Sequence, residues 1–330
     1  MNTLLLNKSE VGSLIDLDKI QLSVESGYCK FSSGNVIQPD FINLVKPGTH
    51  IGFDFKTGFD LKSDIITMKS SSGGYSNNPS LGLPTGMNMV YLYDASTSVL
   101  KCIMDGTWIT GCRTAAAGAI SIKYLARENA KKLAMIGAGG QARRQLRAIL
   151  RVRNIEEVYV YSYSPEHVKE YIIEMSKETG LTFIACDTPQ QAIENADIIV
   201  TTTRGRKGPV VKKEWVKPGT HIAAIGADVP DKQEIDPFVF PEAKIVTDST
   251  FLCLINGDTH HAVDNGIIAT DDIYGEIGEI ILGHKKGREN DNEITIFDTV
   301  GMAIQDISMA NALYNEALQK GLGTNYDFLL

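Results

Sequence analysis

The sequence predicts an α/β protein in which a parallel sheet is covered by helices on both faces and is joined to a second region of α+β character. From about residue 118 onward, short apolar runs typical of buried strands alternate with amphipathic runs typical of helices. The connections between these runs are short, as in sheets built from strand–helix–strand units. Before residue 118, several short strand candidates are separated by segments rich in Gly, Ser, Asn and Pro, which indicates antiparallel strands.

The bulk composition fits a globular protein of two domains. Of the 330 residues, 43% are hydrophobic and 22% are charged, which is enough apolar material for a sizeable core. The formal net charge of -8 offers no basic face for nucleic acid. We therefore expect a small-molecule or protein partner and no binding of nucleic acid.

Neither a membrane segment nor a secretory segment is expected. No run approaches the roughly 18 apolar residues that a membrane-spanning helix needs. The start of the chain, MNTLLLNKSEVGSLIDLD, is too short in its apolar part and too quickly polar for a signal peptide. The five cysteines are odd in number and lack CxxC spacing, which argues against a disulfide framework and a zinc site. We predict a cytoplasmic protein with reduced thiols, no membrane partner and no bound metal.

In the first region, strand candidates come before one long helix. The strand candidates are rich in β-branched or aromatic residues and comprise VIQPDFINLV, HIGFDF, DIITMKS and MNMVYLYD. The intervening segment SSSGGYSNNPSLGLPTG is typical of a loop. A long Ala-rich helix within SVLKCIMDGTWITGCRTAAAGAISIKYLA then leads into the parallel sheet.

In the second region, strand and helix candidates alternate along the chain. The strand candidates are KLAMIGAG, VYVYSYS, TFIAC, DIIVTTT, THIAAIGAD and AKIVTDS. The helix candidates between the first four of them are QARRQLRAILRVR, PEHVKEYIIEMSKETG and TPQQAIENA. The segment KKGRENDNE, residues 285–293, is typical of a solvated charged loop.

A glycine-rich turn between the first strand and the first helix of this region is typical of a dinucleotide site. Gly137 permits the tight turn, Gly139 lets backbone approach a pyrophosphate, and the small Ala142 lets helix and strand pack closely. Gly140 and Gln141 open the helix, whose N-terminus supplies free N–H groups and a positive dipole end. Because the strand, loop, helix and next strand occur in this order, the motif predicts coenzyme binding rather than a bare turn.

The end of the next strand bears on the choice between NAD and NADP. An acid at this position normally binds the hydroxyls of the adenosine ribose, but this chain has Ser162, followed by Tyr163 and Ser164. A ribose 2′-phosphate is therefore not repelled, yet no arginine follows to bind it. Both coenzymes remain open, and the sequence slightly favours NADP.

Five segments spread over nearly the whole chain carry a family resemblance. They are GCRTAAAGA, MIGAGGQARRQ, IGADVPDKQEID, GEIGEIILGHKKGRENDNEITIFDTVGMAIQD and GLGT. Together they resemble the ornithine cyclodeaminase/mu-crystallin family, and the third and fourth are most similar to its branch containing the archaeal alanine dehydrogenase. The resemblance implies a homodimer. Residues 1–117 with 306–330 would form its substrate-binding and dimerisation domain, and residues 118–305 a Rossmann-type, doubly wound NAD(P)-binding domain.

The resemblance also implies the chemistry, in which a hydride moves between the α-carbon of an amino acid and the nicotinamide. The leading hypothesis is an NAD(P)-dependent oxidoreductase that interconverts an α-amino acid and its imino or keto acid, or that reduces a ketimine. One alternative is an ornithine- or lysine-type cyclodeaminase, which releases ammonia and recycles its NAD. The other is an NADPH-dependent protein that binds a small ligand, like mu-crystallin.

Two cations match family residues that contact the substrate. Arg113, placed before the long helix, matches the arginine that binds the substrate carboxylate, and a guanidinium suits this role because it presents two N–H donors. Lys69, in a Ser/Gly-rich loop, matches the lysine beside the reacting carbon, which binds the carboxylate and can exchange protons if burial lowers its pKa. The alternatives are a structural salt bridge for Arg113 and a solvated surface position for Lys69.

The chain departs from the family at two places in this region. Asp40 stands where relatives with small substrates have a cation, so it either points away or receives a substrate amine, and a nearby lysine would replace the cation: Lys46, Lys56 or Lys62. No glutamate lies between residues 26 and 126, where cyclodeaminases use one for the side-chain amine. The possible replacements are Asp54, Asp60 and Asp64, and the loss of the glutamate weakens the hypothesis of an ornithine-specific cyclodeaminase.

Asp228 is the predicted acid–base residue. It is the last residue of the strand candidate HIAAIGAD, and ligands of open α/β sheets gather outside the carboxyl ends of the strands. Its family counterpart contacts the substrate amine, which must lose a proton before the α-carbon gives up hydride. Thr202 and Thr203, at another strand end, are predicted to line the coenzyme site. Lys232 and Glu234 are predicted to open a helix.

Overall fold

The computed structural model describes residues 2–328 and divides into two compact units. One unit comprises Met1–Arg113 with Met302–Leu330, and the other comprises Thr114–Gly301. The sequence placed the divisions at 117/118 and 305/306. The functional role of each unit is a prediction.

The N-terminal part of the first unit contains two helices and seven strands. Its elements are β1 Asn2–Leu6, α1 Lys8–Ser13, α2 Leu17–Ser32, β2 Val36–Ile37, β3 Ile42–Val45, β4 Gly52–Asp60, β5 Ile65–Gly73, β6 Asn88–Asp94 and β7 Leu100–Asp105. The side chains of Asn7 and Asp16 accept hydrogen bonds from backbone N–H groups at the starts of α1 and α2. Neighbouring strands from β4 to β7 are antiparallel, which confirms the predicted pattern.

The candidate VIQPDFINLV forms two short strands, so its prediction as one strand is wrong. β2 and β3 both pair with β4, and residues 38–41 between them lie outside the ladder. Pro39 is in this interval and has no N–H to donate to a neighbouring strand.

A long helix, α3 Thr107–Leu125, begins in the first unit and ends in the second. The elements that follow it are β8 Lys132–Ile136, α4 Gly140–Ile149, β9 Glu157–Tyr161, α5 Pro165–Thr179, β10 Thr182–Ala185, α6 Pro189–Ile193, β11 Ile198–Thr201, β12 His221–Ala224, β13 Ala243–Thr247, α7 Thr250–Asn256, α8 Asp258–Asp264, β14 Ile273–Glu276, α9 Ile277–Ile281 and β15 Ile294–Asp298. The eight strands form one sheet in the order β10-β9-β8-β11-β12-β15-β13-β14. All neighbouring strands in it are parallel.

Apolar side chains cover both faces of this parallel sheet. Leu133 and Met135 belong to one buried cluster, whereas Ala134 and Ile136 of the same strand belong to another. Successive residues of a strand point to opposite faces, so each face has its own core. The structure therefore confirms the predicted doubly wound α/β class. The strand order reverses direction beside β8, and ligands of such sheets bind at this switch point.

The C-terminal segment returns to the first unit. It consists of α10 Ala303–Lys320 and β16 Thr324–Asp327. β16 pairs antiparallel with β1, and α10 packs against α2, β4 and β5. Within residues 2–328, no helix is both long and apolar enough to cross a bilayer.

Candidate functional site

The dinucleotide loop of the second unit has the geometry that its sequence predicts. Gly137 has φ +109°, and a Cβ at this position would lie 2.7 Å from Thr202 Oγ1, so both conformation and space require glycine. A Cβ at Gly139 would meet no atom within 4 Å, which leaves open space in front of the backbone. A phosphate can therefore approach the loop closely at Gly139.

Helix α4 presents its N-terminus at this loop. Gly139 precedes the helix in extended conformation, and Gly140 and Gln141 form its first turn. Ala142 is fully buried in the core cluster that contains strand β8 residues. The loop and helix start thus fit a pyrophosphate, with donors supplied by backbone and by the positive end of the helix.

The loop after β11 is attached to the dinucleotide loop. The Thr202 N–H donates to Ile136 O over 2.8 Å, and Gly137 N–H donates to Tyr161 O over 2.8 Å. The ends of β8, β9 and β11 are therefore joined where a coenzyme would bind. Ser162, half-buried directly after β9, presents a hydroxyl where many NAD-binding proteins have an acid.

Glu234 is a buried residue of this sheet edge that sequence reasoning placed wrongly. It lies in an irregular segment and not at the start of a helix. Its carboxylate accepts hydrogen bonds from Thr201 Oγ1 at 2.7 Å, from Thr203 N–H at 2.6 Å and from Gly226 N–H at 2.7 Å. Its own N–H donates to Asp258 Oδ1 at 2.7 Å. Glu234 thus fixes the loops after β11 and β12 to each other.

Burial and hydrogen bonding act in opposite directions on Glu234. Burial raises the pKa of its carboxyl group, and the donors from Thr201, Thr203 and Gly226 offset part of that rise. Nothing in DKQEID distinguished this acid from a surface residue, because its partners come from two other strand ends. Only the folded sheet edge identifies it.

Asp228 lies farther from its strand than the sequence suggested. Strand β12 ends at Ala224, so the prediction that strand HIAAIGAD delivers Asp228 directly is wrong. The Asp228 side chain is 49% exposed and forms an ion pair with Lys232. It is nevertheless on the loop that leaves the carboxyl end of β12, the loop that Glu234 fixes through Gly226. Lys232, like Glu234, lies outside any helix.

In the first unit, Lys69 is buried within a strand, as the strand candidate DIITMKS predicted, so the alternative of a solvated position in a Ser/Gly loop is wrong. It belongs to β5, is 1% exposed, and its Nζ lies 2.6 Å from Asp306 Oδ2. Burial lowers the pKa of Lys69 to about 7, with Asp306 raising it and the charges of Arg113 and Lys56 lowering it further. A lysine with this pKa can give or take a proton near neutral pH.

Arg113 lies inside helix α3, so its predicted position before the helix is also wrong. Its side chain is buried, with Nε 3.3 Å from Asp306 Oδ1 and Nη1 donating to Gln305 Oε1 at 3.1 Å. The contact with Asp306 is an ion pair without hydrogen-bond geometry. Within the described part of the chain, neither Arg113 Nε nor Asp306 Oδ1 has a hydrogen-bond partner. Arg113 therefore has a buried donor available to a ligand.

Asp306 lies between Lys69 and Arg113 and forms an ion pair with each. The sequence did not identify it. Burial alone would raise the pKa of Asp306, but the charges of Lys69 and Arg113 hold it below its ordinary value. Gln305 beside it also accepts from Arg113 and donates to the Tyr28 hydroxyl. The only sequence signal was that both residues fall in the motif TVGMAIQD.

The three lysines proposed to replace the lost cation differ in burial. Lys56 is buried and lies directly opposite Lys69 on the paired strands β4 and β5, whereas Lys46 and Lys62 are exposed. Asp40 is exposed, and its carboxylate accepts the N–H of the next residue. Of the three cations, the structure therefore brings Lys56 to the Lys69 cluster.

The structure identifies none of the three proposed aspartates, Asp54, Asp60 and Asp64, as a replacement for the missing glutamate. Asp60 is buried but forms an ion pair with Lys30 at 2.5 Å and accepts from Ser63. Asp64 is exposed in a turn with φ +50°, and Asp54 is half-buried on β4.

In residues 2–328, no group of three or more His, Cys, Asp or Glu side chains is arranged for a metal ion.

Comparisons with known proteins agree with this architecture. The model of the ornithine cyclodeaminase/mu-crystallin family matches residues 1–321. The alanine dehydrogenase of Archaeoglobus fulgidus is 39% identical, with 99% of each chain covered. A solved archaeal alanine dehydrogenase dimer with bound NAD superimposes with a TM-score of 0.93 at 38% identity over 100% of both chains. The Thermococcus litoralis Δ1-pyrroline-2-carboxylate reductase, solved with NADH and L-proline, gives a TM-score of 0.93 at 36% identity, covering 98% of this chain and 100% of that one.

Proposed function

The chain belongs to the ornithine cyclodeaminase/mu-crystallin family, and from this premise we propose that it is an NAD(P)-dependent oxidoreductase acting on an amino or imino acid. It interconverts an α-amino acid with its imino or keto acid, or reduces a ketimine. The observation that carries the proposal is the buried cluster of Lys69, Arg113 and Lys56 around the carboxylate of Asp306, in which the Arg113 Nε–H has no hydrogen-bond acceptor among the described residues.

The charge of this cluster favours a substrate carboxylate. Two basic side chains, those of Lys69 and Arg113, contact the one carboxylate of Asp306, and the charge of Lys56 also acts on Lys69. A carboxylate brought to the cluster compensates the excess positive charge and gives Arg113 Nε an acceptor. An α-amino acid and an imino acid both carry this group beside the reacting carbon.

Two residues are proposed to handle protons. Lys69, with its pKa near 7, exchanges a proton with the substrate nitrogen or with water. Asp228 is proposed to accept the amine proton before oxidation and to return it after reduction. Asp228 forms an ion pair with Lys232, and a carboxylate can accept a hydrogen bond from a substrate amine.

The second unit supplies the coenzyme site through Gly137, Gly139 and the start of helix α4. The bound coenzyme provides the redox chemistry, in which a hydride moves between nicotinamide and the substrate α-carbon. In the oxidative direction the amino acid loses a hydride and a proton to give an imino acid, which water hydrolyses to keto acid and ammonium. The backbone N–H groups at Gly139 and Gly140 would hold the pyrophosphate, and the hydrogen bonds of Glu234 keep the loops after β11 and β12 in place.

We also propose that the protein is a homodimer formed through its first unit. The related archaeal alanine dehydrogenase is a dimer. In this chain, Ile42, Leu44, Val45 and Phe53 are exposed apolar side chains on the paired strands β3 and β4. Ile42 and Leu44 lie on the same face of β3 and Phe53 is paired with Leu44, so these three side chains share a face, and exposed apolar groups of this kind are typical of protein interfaces.

The activity is tested with a panel of amino acids, and of keto acids with ammonia, while NAD(P)H absorbance is followed. Stoichiometric formation or consumption of NAD(P)H supports the proposal. Release of ammonia with catalytic amounts of NAD and no net absorbance change would instead identify a cyclodeaminase. Coenzyme binding without turnover of any substrate would favour a binding protein.

Replacing Asp228 by asparagine is expected to lower kcat/KM about 10²–10⁴-fold, since the amide cannot accept the amine proton. Coenzyme affinity, measured by fluorescence titration, should change little. Asp231→Asn is the matched control, because Asp231 lies on the same loop and pairs with Arg206. Unchanged turnover in Asp228→Asn would exclude the proposed acid–base role.

Replacing Glu234 by glutamine is expected to lower the free energy of unfolding by about 1–3 kcal/mol and to weaken coenzyme binding. The carboxylate accepts three hydrogen bonds. In glutamine, an NH2 group replaces one carboxylate oxygen. Its N–H groups would face at least one of the three donors, namely the Thr201 hydroxyl and the N–H groups of Thr203 and Gly226, and could not accept from it. Urea denaturation and fluorescence titration measure the two effects. Glu242→Gln, which changes an exposed ion pair with Lys213, should alter neither by much.

A further inference from the structure

The end of strand β9 carries no acid, so it lacks the group that normally selects the 2′-hydroxyl of NAD. Ser162, Tyr163 and Ser164 follow this strand, and Ser164 caps helix α5 by accepting the His167 N–H. The Ser162 hydroxyl can donate to a phosphate as readily as to a ribose hydroxyl. Because the residues after β9 carry no charge, they do not repel a 2′-phosphate, but they do not attract one either.

A cation reaches this position from a distant part of the chain. Lys207 lies on the loop after β11, and its Nζ is 4.4 Å from the centre of the Tyr163 ring. Both side chains are exposed, Tyr163 by 50%. The preceding Arg206 is paired with Asp231 on another loop. Lys207 is therefore a cation that the fold brings beside the residue after the end of β9.

The next acid along the chain, Glu166, is hydrogen-bonded at the start of helix α5. Glu166 Oε2 accepts a hydrogen bond from Ser164 Oγ at 2.9 Å, and its own backbone N–H lowers the pKa of this carboxyl. Glu166 thus remains charged and opposes a bound phosphate in part. Lys207 and the N-terminus of the 15-residue helix α5 are the positive groups that offset it.

We propose that Lys207, together with the Ser162 hydroxyl, binds the ribose 2′-phosphate and makes the protein selective for NADP(H) over NAD(H). This inference rests on the proposed function, because it assigns a residue to the coenzyme site of that function. It also explains how the chain can bind a 2′-phosphate without an arginine after β9. The ammonium of Lys207 supplies the charge, and the face of Tyr163 holds its side chain over the site.

The test is a titration of the purified protein with NADPH and with NADH, followed by nicotinamide fluorescence. Wild-type protein is expected to bind NADPH at least about tenfold more tightly than NADH, the effect of one charge-assisted hydrogen bond. Lys207→Met should remove most of that preference by weakening NADPH binding alone. Ser162→Asp should reverse the preference, because an acid there repels the phosphate and accepts from the ribose hydroxyls.

Lys212→Met is the matched control, since Lys212 also lies over an aromatic ring, that of Trp215, at 5.5 Å. It should leave both affinities unchanged. Calorimetry with 2′,5′-ADP and with 5′-ADP provides a second readout, and only the first ligand should lose affinity in Lys207→Met. Equal or tighter binding of NADH by wild-type protein would overturn the inference, as would equal losses for both coenzymes in Lys207→Met.

The test of Lys207 does not depend on whether a substrate is found, because it measures coenzyme binding. If NADPH binds selectively but no amino or imino acid is turned over, the proposed activity fails and the assignment of Lys207 stands. If turnover is found with NADH preferred, the activity stands and the assignment fails. If neither coenzyme binds, both are wrong.

Discussion

Lys69→Met is expected to lower kcat/KM by about 10²–10⁴-fold while the protein remains folded. Methionine fills the buried space with an unbranched apolar side chain but can neither bind a carboxylate nor exchange a proton. Asp306 keeps Arg113 as a charged neighbour in this variant. Steady-state kinetics measure the loss, and circular dichroism and thermal unfolding establish that the fold is retained.

Lys62→Met is the control for Lys69→Met, because Lys62 is an exposed lysine at the turn between β4 and β5. It should retain wild-type activity. A Lys69→Met enzyme with wild-type kcat/KM would show that the substrate carboxylate and the proton are handled elsewhere. Loss of activity accompanied by loss of the folded state would instead indicate a structural role.

The pH dependence gives an independent readout for Lys69. Its pKa in the folded protein is lowered from 10.5 to about 7, so Lys69 is charged below about pH 7 and neutral above it. The profile of kcat/KM for wild-type enzyme should therefore contain an ionisation near pH 7. Lys69→Arg should lose this ionisation, because a guanidinium stays protonated throughout the range.

The lowered pKa of Lys69 also determines whether the free energy of unfolding rises or falls with pH. Between about pH 7 and 10.5, unfolded chains keep the Lys69 proton while the native state releases it. Since the unfolded state binds more protons in that window, the contribution of Lys69 to the free energy of unfolding rises with pH there. In Lys69→Met this rise should be absent.

The fold was predictable because its signals are local. Alternating apolar and amphipathic runs defined the parallel sheet, and Gly137, Gly139 and Ala142 marked the dinucleotide loop from three positions on one turn. Each of these signals lies within a few residues of the feature it predicts. The same is true of the motifs that identified the family.

The site was only partly predictable because its energetics depend on contacts between distant residues. Lys69 and Asp306 are 237 positions apart, and Thr201 and Glu234 are 33 apart. The sequence therefore suggested Lys69 and Arg113 but neither the carboxylate between them nor their burial. Secondary structure near Lys69 was also misjudged, since SSSGG resembles a loop although strand pairing holds residues 65–73 in a sheet.

Asp306→Asn is expected to destabilise the protein by about 3–5 kcal/mol, a large fraction of the stability of a typical domain. Asparagine removes the carboxylate that pairs with the buried Lys69 and Arg113. Lys69 should lose its proton more readily, which moves the ionisation in kcat/KM to lower pH. Urea denaturation measures the first effect and the pH profile the second. Glu316→Gln, on the exposed side of the same helix, should cost less than about 1 kcal/mol.

The double variant Lys69→Met/Asp306→Asn separates a coupled ion pair from two independent losses. If Asp306 serves to compensate Lys69, removing both leaves one buried cation fewer than Asp306→Asn alone, and the double variant should be more stable than the sum of the single effects predicts. The coupling free energy is expected to be about 1–3 kcal/mol, as for residues in direct contact. Additive effects would mean that Asp306 acts mainly through Arg113, whose Nε is 3.3 Å away. A cycle with Arg113→Met would then show the coupling instead, so the two cycles together determine which cation Asp306 holds in place for the substrate.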